Sequence, residues 1–257
     1  MALSTRDIVS AKAGSRRLVV LTAYDYPVAR LASESGADLI LVGDSLGMVV
    51  LGLPDTTGVT MDDMVRHIGA VRRGAPEAAL IGDLPFGSYS SPGAAIENGR
   101  RLIEAGADAV KLEGGVEVAA IIRALNAAGI PVVAHIGMLP QHIREEGRYR
   151  RKGRTPDESA ALLDDAQAVE AAGAFAVVLE LIAHDCARSI TQAVTIPTIG
   201  IGSGPVCDGQ VLVTHDLVGF SPWFRPKFAP AYGDVAGEIQ KAFTRFGAEV
   251  RQGTFPG

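Results

Sequence analysis

One local pattern recurs along the chain: a stretch of helical periodicity closes at glycine, and an apolar strand follows almost at once. It reads SESGADLILVGD, EAGADAVKLEGG, NAAGIPVVAHIG and EAAGAFAVVLEL. Gly36, Gly106, Gly129 and Gly173 stand where a helix ends in a left-handed residue, a conformation that penalises a Cβ. Punctuation of this kind commits the chain to alternating helices and strands.

Runs rich in Val, Ile and Leu mark eight expected strands, at 18–22, 39–43, 79–82, 109–112, 131–135, 175–179, 197–201 and 211–215. Most are apolar on both faces, as strands of a parallel sheet covered by helices must be. Helices fit between most of them, although the gap before the eighth strand is too short for one. With 257 residues and 47% hydrophobic content, the chain can bury a large core. No linker divides it. The expectation is an α/β fold, one (β/α)8 TIM barrel over 1–257. An open dinucleotide-binding sheet lacks its GxGxxG after the first strand. Thr155-Pro156-Asp157-Glu158 predicts a capping box, and Ser91-Pro92 opens another helix.

A net charge of −5 gives no electrostatic case for nucleic acid. Cys186 and Cys207 have no CxxC spacing, which argues against a disulfide framework or a cysteine zinc site. The N-terminal segment lacks the apolar stretch of a signal peptide, and no run is long enough to cross a bilayer. A soluble cytoplasmic protein with a small-molecule ligand is expected.

Barrel active sites lie at the C-terminal ends of the strands. Those ends carry Tyr24 and Asp25, Asp44 and Ser45, Asp83, Lys111 and Glu113, His135, Glu180 and Ser203. A carboxylate closing an apolar strand is costly to desolvate unless it is paired or metal-bound. Asp44, Asp83 and Glu113 are hard oxygen donors that suit Mg2+ and leave room for a chelating 2-oxo acid. The competing expectation is a closed network of these acids with Lys111 and arginines. Glu180, on a very apolar strand, suits a general base whose pKa desolvation raises; its alternative is an ion pair. Lys111, two residues from Glu113 and on the same side of the strand, suits electrostatic stabilisation more than a Schiff base. PTIGIGSG, at 197–204, offers a weak phosphate cradle. The basic run from Arg144 to Arg154 offers an anion grip, a lid or a solvated loop.

TAYDYPVARL, LVGDSLGMVVLG, VRRGAP, DLPFGSY, VKLEGG, AHIGMLPQ, VVLE, IGIGSG, DGQVLV and PKFA, in this order, resemble the ketopantoate hydroxymethyltransferase family. The resemblance implies a (β/α)8 barrel that moves a one-carbon unit from 5,10-methylenetetrahydrofolate to 3-methyl-2-oxobutanoate, on the route to pantothenate. It implies Asp44, Asp83 and Glu113 as the Mg2+ acids, with Asp44, Ser45, Asp83 and Lys111 as substrate contacts. His135 lies near the substrate, and Glu180 accepts the C3 proton through a metal-stabilised enolate. It also implies a homo-oligomer, a decamer. The chain departs from the family at Ala134 for Gly, Leu139 for Thr, Arg148 for Gly and Lys152 for Gln, changes that bear on folate contacts and 2-oxo acid tolerance. Two alternatives stand beside this reading. One is a 2-oxo acid aldolase or lyase of the phosphoenolpyruvate mutase and isocitrate lyase group, whose KKCGH-like loop is missing from the sequence. The other is a non-catalytic metabolite-binding barrel.

Overall fold

The computed structural model describes residues 5–14, 16–223 and 226–257. The chain forms two compact units, one running to Val211 and one from Leu212 to Gly257. Eight parallel strands close a barrel in sequence order: β1 (Leu18–Thr22), β2 (Leu39–Val42), β3 (Ala79–Asp83), β4 (Ala109–Glu113), β5 (Val132–Gly137), β6 (Ala176–Glu180), β7 (Thr198–Ile201) and β8 (Gly209–Leu212). Helices α1 (Tyr26–Glu34), α2 (Met61–Gly74), α3 (Pro92–Ala105), α4 (Ala119–Ala127), α5 (Pro156–Ala171) and α6 (His184–Ala193) alternate with the strands. The four glycines of the recurring motif all have positive φ, between 78° and 121°. The expected barrel is therefore the fold observed.

The eighth strand begins two residues earlier than expected, because Gly209 and Gln210 pair with Ile199 and Gly200 of β7. Residues expected to finish it instead form a short helix, Thr214–Leu217. An apolar run as short as VLV does not by itself distinguish strand from helix. Ser91 accepts a hydrogen bond from Ala94 N at 3.2 Å, as predicted. Thr155 accepts from Glu158 N at 3.2 Å, but the Glu158 carboxylate turns to Arg154 N, so only half of the predicted box forms.

Side chains alternate strictly along the strands. Val20, Leu39, Leu41, Ala79, Ile81, Ala109, Val133, Ala176, Val178 and Ile199 fill the barrel interior. Ile40, Val42, Leu80, Val110, Leu112, Val132, Ala134, Val177 and Leu179 pack outward with the helices. Extending the inner series by one or two steps brings Asp83, Lys111, Glu113, His135 and Glu180 onto the inner face, where hydrophobic residues give way to charge. Ala134, by contrast, packs outward with the helices and stands in the barrel wall.

At the opposite strand ends a second device recurs. Asp38, Asp108 and Asp208 immediately precede β2, β4 and β8. Their carboxylates accept from Val19 N (2.9 Å), Leu80 N (2.8 Å) and Thr198 N (2.9 Å) of the preceding strands. Each also meets a base: Arg16, Arg72 at 2.6 Å and Lys12 at 2.8 Å. These bonds satisfy strand-start donors that would otherwise be orphaned.

In the second unit the helix Thr214–Leu217 leads to α7 (Val235–Arg251). Tyr232 N donates to Leu217 O at 2.7 Å and Val235 N to Val218 O at 3.0 Å, and Asp234 caps α7 by accepting from Gly237 N. No helix among the described residues is long and apolar enough to cross a membrane.

Removing the Asp38 carboxylate orphans Val19 N and unpairs Arg16. Asp38→Ala should lower the free energy of unfolding by about 1–3 kcal/mol, the range for losing a charged hydrogen-bond partner. Urea titration checks it, and an unchanged midpoint would show the cap to be dispensable.

Candidate active site at the barrel mouth

Strand register builds the site. Asp83 pairs with Lys111 across β3 and β4, Glu113 with His135 across β4 and β5, and Gly137 with Glu180 across β5 and β6. Lys111 Nζ donates to both oxygens of Asp83, 2.7 Å each, with both side chains buried. Asp44, just past the end of β2, donates its backbone N–H to Asp83 Oδ2 at 3.3 Å. The Ser45 hydroxyl lies 2.8 Å from the buried Tyr24 hydroxyl. His135 joins two acids: Nδ1 is 3.4 Å from Glu113 Oε1 and Nε2 is 3.2 Å from Glu180 Oε2.

The sequence therefore placed Asp44, Ser45, Asp83, Lys111, Glu113, His135 and Glu180 at a common mouth, and the structure brings them together there. Asp25 is used differently, since its carboxylate caps α1 by accepting from Val28 N at 2.8 Å. Ser203 is buried and turned toward β6, donating to Leu179 O at 2.7 Å and accepting from Ile182 N at 2.9 Å. Its hydroxyl is thus engaged within the chain.

Those bonds hold the backbone around Glu180. Leu181 has φ 49°, the left-handed region a leucine enters only at a cost of about 1–2 kcal/mol. It is fixed on both sides, with Leu181 N donating to Ile201 O at 2.9 Å and Leu181 O accepting from Lys152 N at 2.8 Å. Ala183 N returns a bond to Lys152 O at 2.8 Å. The segment after Glu180 is therefore clipped to the basic run. That run is also paired internally: Arg144 with Asp55 at 2.9 Å, Arg150 with Glu158 at 2.8 Å, and Lys152 with Glu146. Three of its basic residues are thus paired within the chain while most of the run stays exposed.

Electrostatics follow from burial. Burial, then the neighbouring Asp83 charge, pushes the Asp44 carboxyl well above the usual carboxylate range. Burial also raises Asp83, against the opposing pull of Lys111. Burial would raise Glu113 too, but contact with His135 and the Lys111 charge hold it low. Lys111 stays charged, because Asp83, Glu113 and Asp44 outweigh the desolvation that lowers it. A lysine held protonated is a poor nucleophile, which argues against a Schiff base. For His135, burial and Lys111 lower the pKa, but Glu113 and Glu180 outweigh them and raise it to about 9.

With every acid ionised, Asp44, Asp83, Glu113 and Glu180 face only Lys111 and His135 as charged partners within this cluster. Among the described residues no three His, Cys, Asp or Glu side chains are drawn together at ligand spacing. The donor set nevertheless fits a hard divalent cation: its oxygens are carboxylates in charge excess, and buried Glu113 Oε1 accepts no hydrogen bond.

Two residues of the site were not singled out from sequence. Gln141, 1% exposed, donates through Nε2 to Asp44 Oδ2 at 2.8 Å and to Leu84 O at 3.0 Å, while its backbone N–H donates to Glu113 Oε2 at 3.0 Å. Tyr89 OH donates to Gln141 Oε1 at 2.6 Å. Their signal was their position in AHIGMLPQ and DLPFGSY, since neither lies on a strand end.

The family model described as Ketopantoate hydroxymethyltransferase matches residues 2–257. A 3-methyl-2-oxobutanoate hydroxymethyltransferase of Ignicoccus hospitalis is 51% identical, over 99% of this chain and 97% of that protein. One from Thermus thermophilus is 50% identical over 100% and 98%. Among solved structures, the phosphoenolpyruvate phosphomutase of Streptomyces platensis subsp. rosaceus has a TM-score of 0.67 at 17% identity, covering 98% of this chain and 88% of that one. That likeness is one of fold alone. The full-length match and the identities near one half show that this chain belongs to the ketopantoate hydroxymethyltransferase family.

Proposed function

We propose that this chain transfers a hydroxymethyl group, with its carbon from 5,10-methylenetetrahydrofolate, to 3-methyl-2-oxobutanoate, giving 2-dehydropantoate. The observation that carries this reading is the sealed cluster of Asp44, Asp83, Lys111, Glu113, His135 and Glu180 at the mouth of a barrel of this family. Asp44, Asp83 and Glu113 would hold Mg2+ through their carboxylate oxygens. That ion, when bound, supplies Lewis-acid polarisation of the 2-oxo acid.

The side chains supply the rest. Lys111 and the Ser45 hydroxyl meet the polar end of the 2-oxo acid, and the buried Lys111 cation favours negative charge developing on the keto oxygen. Glu180 takes the proton from C3, with His135 beside its Oε2. The C3 carbon then bonds to the one-carbon unit of the folate, water supplies the hydroxyl oxygen, and tetrahydrofolate leaves. Work in the cytoplasm as a homo-oligomer, a decamer by family resemblance, belongs to the same reading.

Product formation from 3-methyl-2-oxobutanoate should require both methylenetetrahydrofolate and divalent metal. Full turnover by protein verified to be metal-free would contradict the reading. Glu180→Gln keeps the shape and removes the basicity, so kcat should fall about 100- to 10,000-fold with little change in KM. A variant with wild-type kcat would strip Glu180 of its role. The Lys111 pair has a stability signature as well. Lys111→Met leaves Asp83 buried without its counter-charge and should lower the unfolding free energy by about 3–5 kcal/mol. Adding Asp83→Asn should recover part of that loss in urea titrations, whereas equal losses in the single and double variants would mean that the pair carries no such energy.

A further inference from the structure

Gln141 bonds Asp44 through its side chain and Glu113 through its own backbone. It lies in the turn Pro140–His142 that follows β5. Both amide hydrogens are used, Nε2 donating to Asp44 Oδ2 and to Leu84 O, and Oε1 accepts from Tyr89. A carbonyl and a carboxylate only accept, so the chemistry fixes which end of the amide faces Asp44. Its backbone N–H reaches Glu113 Oε2. One oxygen of each acid is thereby occupied, Oδ2 of Asp44 and Oε2 of Glu113. Glu113 Oε1 is buried, accepts no hydrogen bond and lies 3.4 Å from His135 Nδ1.

Tyr89 completes the device. Its hydroxyl is partly buried and bonds Gln141 Oε1 at 2.6 Å, with a longer contact of 3.4 Å to Glu113 O. That hydroxyl adds a donor at the Oε1 end and so favours the same amide rotamer that Asp44 and Leu84 select at the Nε2 end. A flipped amide would turn its carbonyl oxygen toward the Asp44 carboxylate, two acceptors face to face.

We propose that Gln141, locked by Tyr89, is a positioning residue. It orients Asp44 and Glu113 together so that their remaining oxygens face the ligand space of the mouth, and so sets the affinity for the divalent ion and the 2-oxo acid without touching either. This rests on the function proposed above. It adds a relay of Tyr89, Gln141, Asp44 and Glu113 that links the segment after β3 and the turn after β5 to acids on two other strand ends. Outer partners that orient metal ligands typically contribute 10- to 100-fold in metal affinity, and a relay of two such partners should behave as one unit.

The test uses full-length Gln141→Met, Tyr89→Phe and the double variant. Mg2+ binding is followed by calorimetry, with and without 3-methyl-2-oxobutanoate and in the absence of folate. Methionine keeps the volume of glutamine and loses its hydrogen bonds. Gln141→Met should weaken Mg2+ about 10- to 100-fold and raise KM for the 2-oxo acid, and saturating Mg2+ should restore most of kcat. Tyr89→Phe should act in the same direction with smaller effect, and should add nothing in the Gln141→Met background. A merely structural role would lower the unfolding midpoint while leaving Mg2+ affinity and KM at wild-type values, and that result overturns the proposal. Additive losses in the double variant overturn the relay. Should Gln141→Met fail to fold, Tyr89→Phe decides alone, and wild-type affinity in it counts against the proposal. Wild-type protein that binds no Mg2+ would remove the metal of the proposed function as well, whereas equal binding by wild type and Gln141→Met removes only this inference.

Discussion

Lys111 Nζ bonds both oxygens of Asp83, and both side chains are almost wholly buried. Such a pair is a weak source of net stability, because desolvating both charges offsets most of their attraction. Its consequence is specificity of arrangement. The register that sets β3 against β4 must hold Asp83 opposite Lys111, since a slip of one residue would turn every inward side chain outward. The hydrophobic interior below the pair, from Ile81 and Ala109 down, enforces the same register. Core and site therefore specify each other.

Above that pair the mouth holds more acid than base. Two consequences follow from the geometry. Asp44 is pushed upward by burial and by Asp83, so ionising it calls for a further positive charge. Glu113 is held low by contact with His135, so it offers a ready carboxylate. Around this charge the scaffold is stiff where chemistry needs it. The backbone on the far side of Glu180 is clamped by Ser203, Ile201 and Lys152, and Gln141 bonds Asp44 through its side-chain amide and Glu113 through its backbone N–H. Side chains held by bonded, buried shells have little freedom left to lose when a ligand binds.

Much of this was legible from the residues alone because period-two alternation and strand-end carboxylates are local signals. The barrel followed from eight apolar runs and the glycines before them, and the mouth from asking what stands at the end of each run. Three features were not legible, each because it depends on long-range contact. Gln141 sits in a turn with no periodicity, and its partner Tyr89 lies 52 positions away. The pairing of Arg144, in the basic run, with Asp55, 89 positions away, leaves no local signal either. The carboxylates of Asp38, Asp108 and Asp208 look like loop residues until the strand-start donors they satisfy are known. Asp25 shows the reverse error: its place after β1 suggested the site, while its side chain caps a helix.

If the cluster itself generates the nucleophile, the C3 proton of 3-methyl-2-oxobutanoate must be labile before any one-carbon donor is bound. Proton NMR of that compound in D2O, with metal-loaded protein and no folate, tests this directly. The C3 signal should vanish at a rate proportional to protein concentration. Retention of the proton by protein that forms 2-dehydropantoate once folate is added would contradict it, and would place proton removal outside the reach of Glu180 and its neighbours alone.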